Sequence, residues 1–316
     1  MNIMDKCKAG KDTNHEATAS PVDYRYLMDT LQSYSERYPF IGIGYVGTSV
    51  LGRGIPMVTL GDSCRTSRSV LYIGCHHAME WITSAVLLRF IGEYCNSYVK
   101  DGRMYGIKTR HLCRSRTIRV IPQLNVDGAD IQINGAGSSI LRERLISMNG
   151  GDDFTHWQAN ARGVDLNHNY DSGFSEYKQK ESEYGILGGC PSRYSGEAPE
   201  SEPECAFLAN LLRFSDDIKL LLTLHTQGEE IYCSGGEKIP HCMAVARRIE
   251  RLTGYRLAEP EGSAAHGGLT DWYIREIKRP AFTLECGHGE NPLPLADLPD
   301  IYVRLRELLF TAPLFI

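Results

Sequence analysis

The segment spanning residues 70–81, VLYIGCHHAMEW, sets two adjacent histidines at the end of an apolar run, with a glutamate three residues after the second. Imidazole nitrogens and carboxylate oxygens are ligands for a divalent metal, so His77 and Glu80 form one candidate pair. His76 and Glu80, four residues apart, form a competing pair if both lie on a helix. Further along, His225 ends an apolar run in LLLTLHT and Glu285 ends another in AFTLECG. Two histidines and a glutamate suit one Zn²⁺ and leave a fourth position for water. Such a site polarises a carbonyl and activates the bound water. The remaining carboxylate, Glu285, then has the chemistry to take the water's proton and pass it to a leaving amine. Together these are the parts of a metal-assisted amide hydrolase. Each residue also has a plainer reading: a histidine at a strand end as a satisfied structural residue, Glu285 as a buried acid with an arginine partner.

The elements that must carry these residues are legible from periodicity and punctuation. Helical spacing predicts a helix over residues 23–40 that stops at Pro39. Residues 41–62 read as two strands joined by a Gly-rich turn. Residues 68–76 read as a buried strand, 78–99 as a long buried helix, and 117–125 as another strand. The Gly-, Asn- and Ser-rich stretch 128–200 reads as irregular loops. A helix over 199–215, a strand over 218–226, an amphipathic helix over 241–254 closed by Gly254, a strand over 279–287 and a helix over 299–312 complete the chain. Strands alternating with helices predict a single α/β domain, a mostly parallel mixed sheet flanked by helices on both faces. In such sheets ligands bind outside the carboxyl ends of the strands. His77, Glu80, His225 and Glu285 all follow or end predicted strands, so the fold gathers them at one edge.

Bulk properties narrow the partners. A chain of 316 residues, 42% hydrophobic and 23% charged, is long enough for one large α/β domain. A net charge of −5 argues against nucleic acid as a partner, and no apolar run is long enough to insert in a membrane. Residues 1–20 are polar and read as a disordered leader before a catalytic domain at 21–316. They lack the apolar core of a secretory signal, which predicts either a cytoplasmic location or a signal that lies outside this sequence. The ten cysteines show no C-x-x-C spacing, which fits a reducing compartment.

HHAMEW resembles the His-Ala-Arg-Glu-Trp motif of the zinc metallocarboxypeptidase family, and the likeness continues in order. PQLNVDG (122–128), NARGVDLNHNY (160–170), YSGEAPESEPE (194–204), LHTQG (224–228), HGGLTDWY (266–273) and FTLECG (282–287) each resemble a family segment. The resemblance covers about residues 23–312. It implies His77, not His76, as the first zinc ligand, Glu80 as the second and His225 as the third. It implies Glu285 as general base and acid. It implies Asp165 as the acid that holds the first zinc histidine by its free ring N–H; the plainer reading of Asp165 is a turn residue.

The departures concern the substrate. Where the digestive members grip a C-terminal carboxylate with an Asn-Arg pair, this chain has Asn167 and His168, and an imidazole does not reproduce a bidentate guanidinium clamp. The family's closing tyrosine falls near Ser263. The oxyanion arginine aligns with Gln158; Arg162 is a candidate substitute, with binding of a substrate carboxylate or bracing of the loop as its other readings, and His266 and His288 are further binding candidates whose plainer reading is as loop residues. WQANARGVDLNHNY and GHGENPLPLADLPDIYVRL are similar to a bacterial branch, the γ-D-glutamyl-L-diamino acid peptidases. That resemblance implies hydrolysis of the amide between γ-D-glutamate and meso-diaminopimelate or lysine in peptidoglycan stem peptides, with a muropeptide fragment as partner. The alternatives are a metallocarboxypeptidase acting on ordinary or glutamylated C-termini, and an inactive muropeptide binder. The retained ligand set argues against the last.

Overall fold

The computed structural model describes residues 20–61, 68–137, 140–260, 262 and 265–316. Residues 1–19 of the expected leader and Ser263 lie outside the described residues. In chain order the elements are α1 (Tyr24–Arg37), β1 (Gly42–Thr48), β2 (Gly54–Leu60), β3 (Ser69–Gly74), α2 (Ile82–Val99), β4 (Arg103–Met104), β5 (Ile107–Lys108), α3 (Thr109–Ser115), β6 (Thr117–Ile121), α4 (Val126–Asn134), α5 (Arg142–Asn149) and α6 (Phe174–Glu183). They continue with α7 (Pro203–Arg213), β7 (Ile218–His225), β8 (Glu230–Tyr232), α8 (Cys242–Thr253), β9 (Arg256–Leu257), α9 (Leu269–Glu276), β10 (Ala281–Glu285) and α10 (Leu298–Thr311).

Eight strands join in the order β1-β2-β6-β3-β7-β10-β8-β9. The middle four, β6, β3, β7 and β10, are parallel; β1, β2 and β8 pair antiparallel. Every residue of β3 is buried, as is every residue of β7 from Leu220 onward. A strand buried on both faces needs cover on both faces, which the flanking helices give. Tyr72 in β3 donates its hydroxyl to the Leu309 carbonyl of α10 and so ties that helix to the sheet. This is the single α/β domain that the alternation of elements predicts.

Register fixes what the strand ends present. Glu285 of β10 lies opposite His225 of β7, and Leu224 lies opposite Gly74 of β3. Register partners on parallel strands point to the same face, so His225 and Glu285 emerge side by side.

Two expectations are corrected. Residues 128–200 are not simply loops: α5 and α6 lie within them and most of α4 does too. Their sequences are polar, and α5 buries only Leu145, so their apolar periodicity is too thin to read. The helix expected over 78–99 begins at Ile82, because residues 78–80 form a separate 3-10 turn.

Candidate active site

The chain leaves β3 through a sharp bend at Cys75, whose φ is +53°. A set of hydrogen bonds sets the bend. The Cys75 amide donates to Thr83 Oγ1 (2.9 Å), whose hydroxyl donates to the Glu80 carbonyl (2.8 Å). Asn125 donates its side-chain amide to the His76 carbonyl (3.0 Å) and caps α4 by accepting from Gly128 N (3.0 Å). A tight bend closed by a 3-10 turn puts residues three apart on the same side. His77 and Glu80 therefore face inward together.

His77 Nδ1 lies 2.8 Å from Glu80 Oε1, and His225 Nδ1 lies 3.0 Å from Glu80 Oε2. The two Nδ1 atoms are 3.3 Å apart. One ligand atom from each of His77, Glu80 and His225 lies within 4.8 Å of the others. Glu80 Oε2 is buried without a hydrogen bond of its own. Two nitrogens held about 2.0–2.1 Å from a tetrahedral zinc stand roughly 3.3 Å apart, so the spacing of the two imidazoles fits that ion. A cation also resolves two facing lone pairs and a buried carboxylate, each of which is costly alone. His76 points elsewhere: its buried ring stacks behind His225, and its Nε2 is 3.5 Å from the Tyr170 hydroxyl.

Asp165 stands behind His77, with Oδ1 3.2 Å from His77 Nε2. The carboxylate thus lies within ion-pair reach of Nε2, while Nδ1 faces Glu80 and the centre of the cluster. Burial opposes ionisation of Asp165. His77, His168 and hydrogen bonds to the carboxylate outweigh it and hold the group well below the usual carboxylate range. Burial likewise opposes protonation of His77, yet the Glu80 and Asp165 carboxylates raise its pKa. The Glu285 side chain makes no hydrogen bond among the described residues; burial, with repulsion from Glu80, holds its carboxyl above its ordinary range.

A cleft of about 320 Å³ opens over this cluster, lined among others by His77, Glu80, Gln158, Asn167, His168 and Glu285. Gln158 does not stand free. Its side-chain amide donates to Asp165 Oδ2 (2.7 Å), and its backbone carbonyl accepts from Ala78 N (2.9 Å). His168 is held on two sides: Nδ1 donates to the His266 carbonyl (2.7 Å) and the ring stacks on Tyr177 at 3.7 Å. Asn167 accepts from Leu269 N (3.2 Å), leaving its amide NH₂ as a donor. Arg162, expected near the reacting carbonyl, is not among the lining residues. The turn at Asn160 and Gly163 carries it outward, and its guanidinium lies 3.5 Å from Glu202. Neither the His266 nor the His288 side chain lines the cleft, and His288 lies 3.3 Å from Glu229 at the exposed surface.

Several cleft residues escaped the sequence reading: Thr226, Gln227, Tyr232, Thr270, Asp271, Thr283 and Asn291. All but Tyr232 lie in quoted segments, Thr226 and Gln227 in LHTQG, Thr270 and Asp271 in HGGLTDWY, Thr283 in FTLECG and Asn291 in GHGENPLPLADLPDIYVRL, which was the one signal that pointed to them. Asn291 clamps the strand exit at Thr226, accepting from its hydroxyl (2.7 Å) and donating to its carbonyl (2.9 Å).

A fold with its site at the carboxyl edge of a mixed sheet, and two imidazoles and a carboxylate converging there, defines a zinc-peptidase class of protein. The zinc carboxypeptidase family model matches residues 27–304. Gamma-D-glutamyl-L-diamino acid endopeptidase 1 of Lysinibacillus sphaericus is 33% identical over 285 residues, covering 89% of this chain and 69% of that one. Human carboxypeptidase B is 25% identical over 305 residues, covering 90% and 68%. A solved structure of bovine thrombin-activatable fibrinolysis inhibitor, in complex with tick carboxypeptidase inhibitor, is similar in fold with a TM-score of 0.70, covering 94% and 99% at 21% identity. The chain belongs to the zinc carboxypeptidase family and is a metallopeptidase, hence a hydrolase. No helix among the described residues is long and apolar enough to cross a membrane.

Proposed function

We propose that this enzyme binds one Zn²⁺ through His77, Glu80 and His225 and hydrolyses the amide between γ-D-glutamate and a diamino acid in peptidoglycan stem peptides or muropeptides. The observation that carries this reading is the lining of the cleft: among the described residues it holds no lysine and no arginine. Gripping the carboxylate of an ordinary C-terminal residue calls for a bidentate guanidinium. The buried, stacked His168 stands at that position and offers none. The 33% identity to an endopeptidase named for the γ-D-glutamyl-diamino acid bond supports the same substrate.

Zinc, when bound, polarises the scissile carbonyl and lowers the pKa of a water. The protein's own residues do the rest. Asp165 holds the His77 ring. Glu285, beside His225 on the neighbouring strand, accepts the proton of the attacking water at its carboxylate and returns it to the departing amine. A carboxyl with a raised pKa suits both halves of that task. Asn167 offers its amide NH₂ to a substrate carboxylate, with His168 and Gln158 shaping the wall beside it. Arg162 is given no role in this reading: it lies 3.5 Å from Glu202, outside the lining of the cleft.

The second reading, removal of C-terminal residues from ordinary or glutamylated peptides, is favoured by the likeness to carboxypeptidase B and by the retained Asn167. Mass spectrometry decides between them. The enzyme is incubated with L-Ala-γ-D-Glu-meso-diaminopimelate and with a C-terminal dipeptide substrate, each with and without 1,10-phenanthroline. Chelator-sensitive release of L-Ala-D-Glu is the expected result. Cleavage of the C-terminal dipeptide alone refutes it.

A further inference from the structure

The catalytic cleft is lined by no cysteine among the described residues, yet two cysteines meet outside it. Cys233 follows the last residue of β8, and Cys242 is the first residue of α8. The segment between them is wound back on itself by backbone bonds three residues apart. They run from Gly236 N to Cys233 O (2.8 Å), Lys238 N to Gly235 O (3.1 Å), Ile239 N to Gly236 O (3.0 Å) and Cys242 N to Ile239 O (3.2 Å). Gly235 takes the left-handed conformation, with φ of +80°, that starts the winding.

Gly236 leaves a corner open for both sulfurs. A β-carbon there would stand 2.8 Å from Cys242 Sγ and 3.4 Å from Cys233 Sγ. Those distances keep the sulfurs within about 6 Å of each other, and the two thiols share a hydrogen bond. That bond favours the thiolate at Cys242, prevailing over burial, and with burial it disfavours the thiolate at Cys233. Cys242 Sγ also accepts from the Ala281 amide, and it opens a 12-residue helix, whose N-terminus favours an anion. One sulfur is prepared as a nucleophile while the other holds its proton.

The pair lies just beneath the surface. Glu237, Lys238, Pro240 and His241 of the covering loop are exposed, and Cys233 keeps 5% of its own exposure. Cys75, Cys95, Cys205 and Cys286 are wholly buried, and burial pushes each of their thiols up.

We propose that Cys233 and Cys242 are a redox modification site that closes to an intramolecular disulfide when a peroxide reaches the loop. The Cys242 sulfur attacks one peroxide oxygen, the O–O bond breaks, hydroxide leaves and Cys242 becomes a sulfenic acid. The hydroxide takes the Cys233 proton and becomes water. The Cys233 sulfur then attacks the Cys242 sulfur; the S–S bond forms, the S–O bond breaks, and the second oxygen leaves as hydroxide. It takes up the proton that Cys242 first released. Two thiols and one peroxide thus give one disulfide and two waters, the sulfurs oxidised and the peroxide reduced. The new bond ties β8 to α8 directly behind Tyr232, which lines the cleft and lies opposite Thr283 of β10. Closing that short loop braces the wall.

The test needs no substrate and so stands apart from the peptidase reading. The zinc-loaded enzyme is treated with hydrogen peroxide, quenched with catalase, alkylated with iodoacetamide and digested with trypsin without reduction. Lys238 lies between the two cysteines, so trypsin separates them and only a disulfide keeps their peptides together in mass spectrometry. The expected product is a Cys233–Cys242 peptide pair two hydrogens lighter than its parts, reversed by dithiothreitol. A rise in Tm of a few degrees is expected with it. Cys233→Ser is expected to leave Cys242 as a sulfenic acid that dimedone traps, and Cys242→Ser to leave Cys233 unlabelled. Full alkylation of both cysteines after peroxide overturns the proposal, as does a cross-link from either one to a different cysteine. Dimedone labelling of Cys233 in the Cys242→Ser enzyme overturns the assignment of the nucleophile, and a confirmed cross-link with no rise in Tm overturns the bracing.

Discussion

Glu204 gives a prediction with a sign and a size. Its carboxylate is fully buried in the first turn of α7, with Oε1 accepting from Val50 N at 3.1 Å and Oε2 3.4 Å from Asn160 Nδ2. Burial, with repulsion from Asp127 and Glu202 prevailing over backbone hydrogen bonds, raises its pKa from an ordinary 4.5 to about 7. A carboxyl whose folded pKa exceeds its unfolded one contributes nothing against folding below 4.5. It costs stability progressively as pH rises from there through 7, and the cost is constant above. At about 1.36 kcal/mol per pH unit, the gap makes a penalty of about 3 kcal/mol at pH 8 and under about 1 kcal/mol at pH 5. Glu204→Gln keeps an acceptor for Val50 and removes the charge. Its new amide meets Asn160 unfavourably, but that cost does not vary with pH. Paired urea denaturation of the two proteins at fixed zinc, from pH 5 to pH 8, isolates the difference. The variant is expected to gain about 2 kcal/mol relative to the parent across that range. A difference that stays flat, or moves the other way, refutes the claim that an ionised Glu204 is strained by burial.

Three further outcomes test the site and its frame. Glu285→Gln is expected to lower kcat by about 10²- to 10⁴-fold with zinc content unchanged, read by steady-state kinetics beside elemental analysis; a normal rate removes Glu285 from the mechanism. Asp165→Asn is expected to weaken zinc about 10- to 100-fold in a competition titration with a chromogenic chelator; unchanged affinity means that the contact to His77 Nε2 is incidental. Gly128→Ala places a methyl 2.4 Å from the Ala159 carbonyl and 2.5 Å from the Asn125 side chain. It is expected to lower Tm by several degrees and to weaken zinc as well, since Asn125 also holds the His76 carbonyl; loss of stability with intact zinc affinity uncouples the two.

The parts of this enzyme that could be read from sequence are those that lie at the ends of apolar runs and inside family-like segments. His77, Glu80, His225 and Glu285 stand where apolar runs end, which places them at the mouth of a sheet, but their types alone also admit structural roles and only the ordered run of family-like segments around them separates the two readings. The fold was legible for a related reason: β3, β7 and β10 are so continuously apolar that only a sheet covered on both faces accommodates them. The helices α5 and α6 were hidden because each buries three residues or fewer against the rest, so their pattern carries little weight.

Recognition residues follow a different logic. Thr270, Thr283 and Asn291 are types found on every surface, and what brings them to the cleft is register and loop closure over long sequence separations. Arg162 shows the converse. Its type suits an oxyanion and its spacing from Gln158 is short, yet the Asn160 side chain accepts from the amides of Arg162 and Val164 and winds the segment into a turn that aims the guanidinium at Glu202. Gln158 meanwhile spends its amide on Asp165, the same acid that orients His77. One buried carboxylate thus holds a metal ligand and the residue standing where an arginine would be.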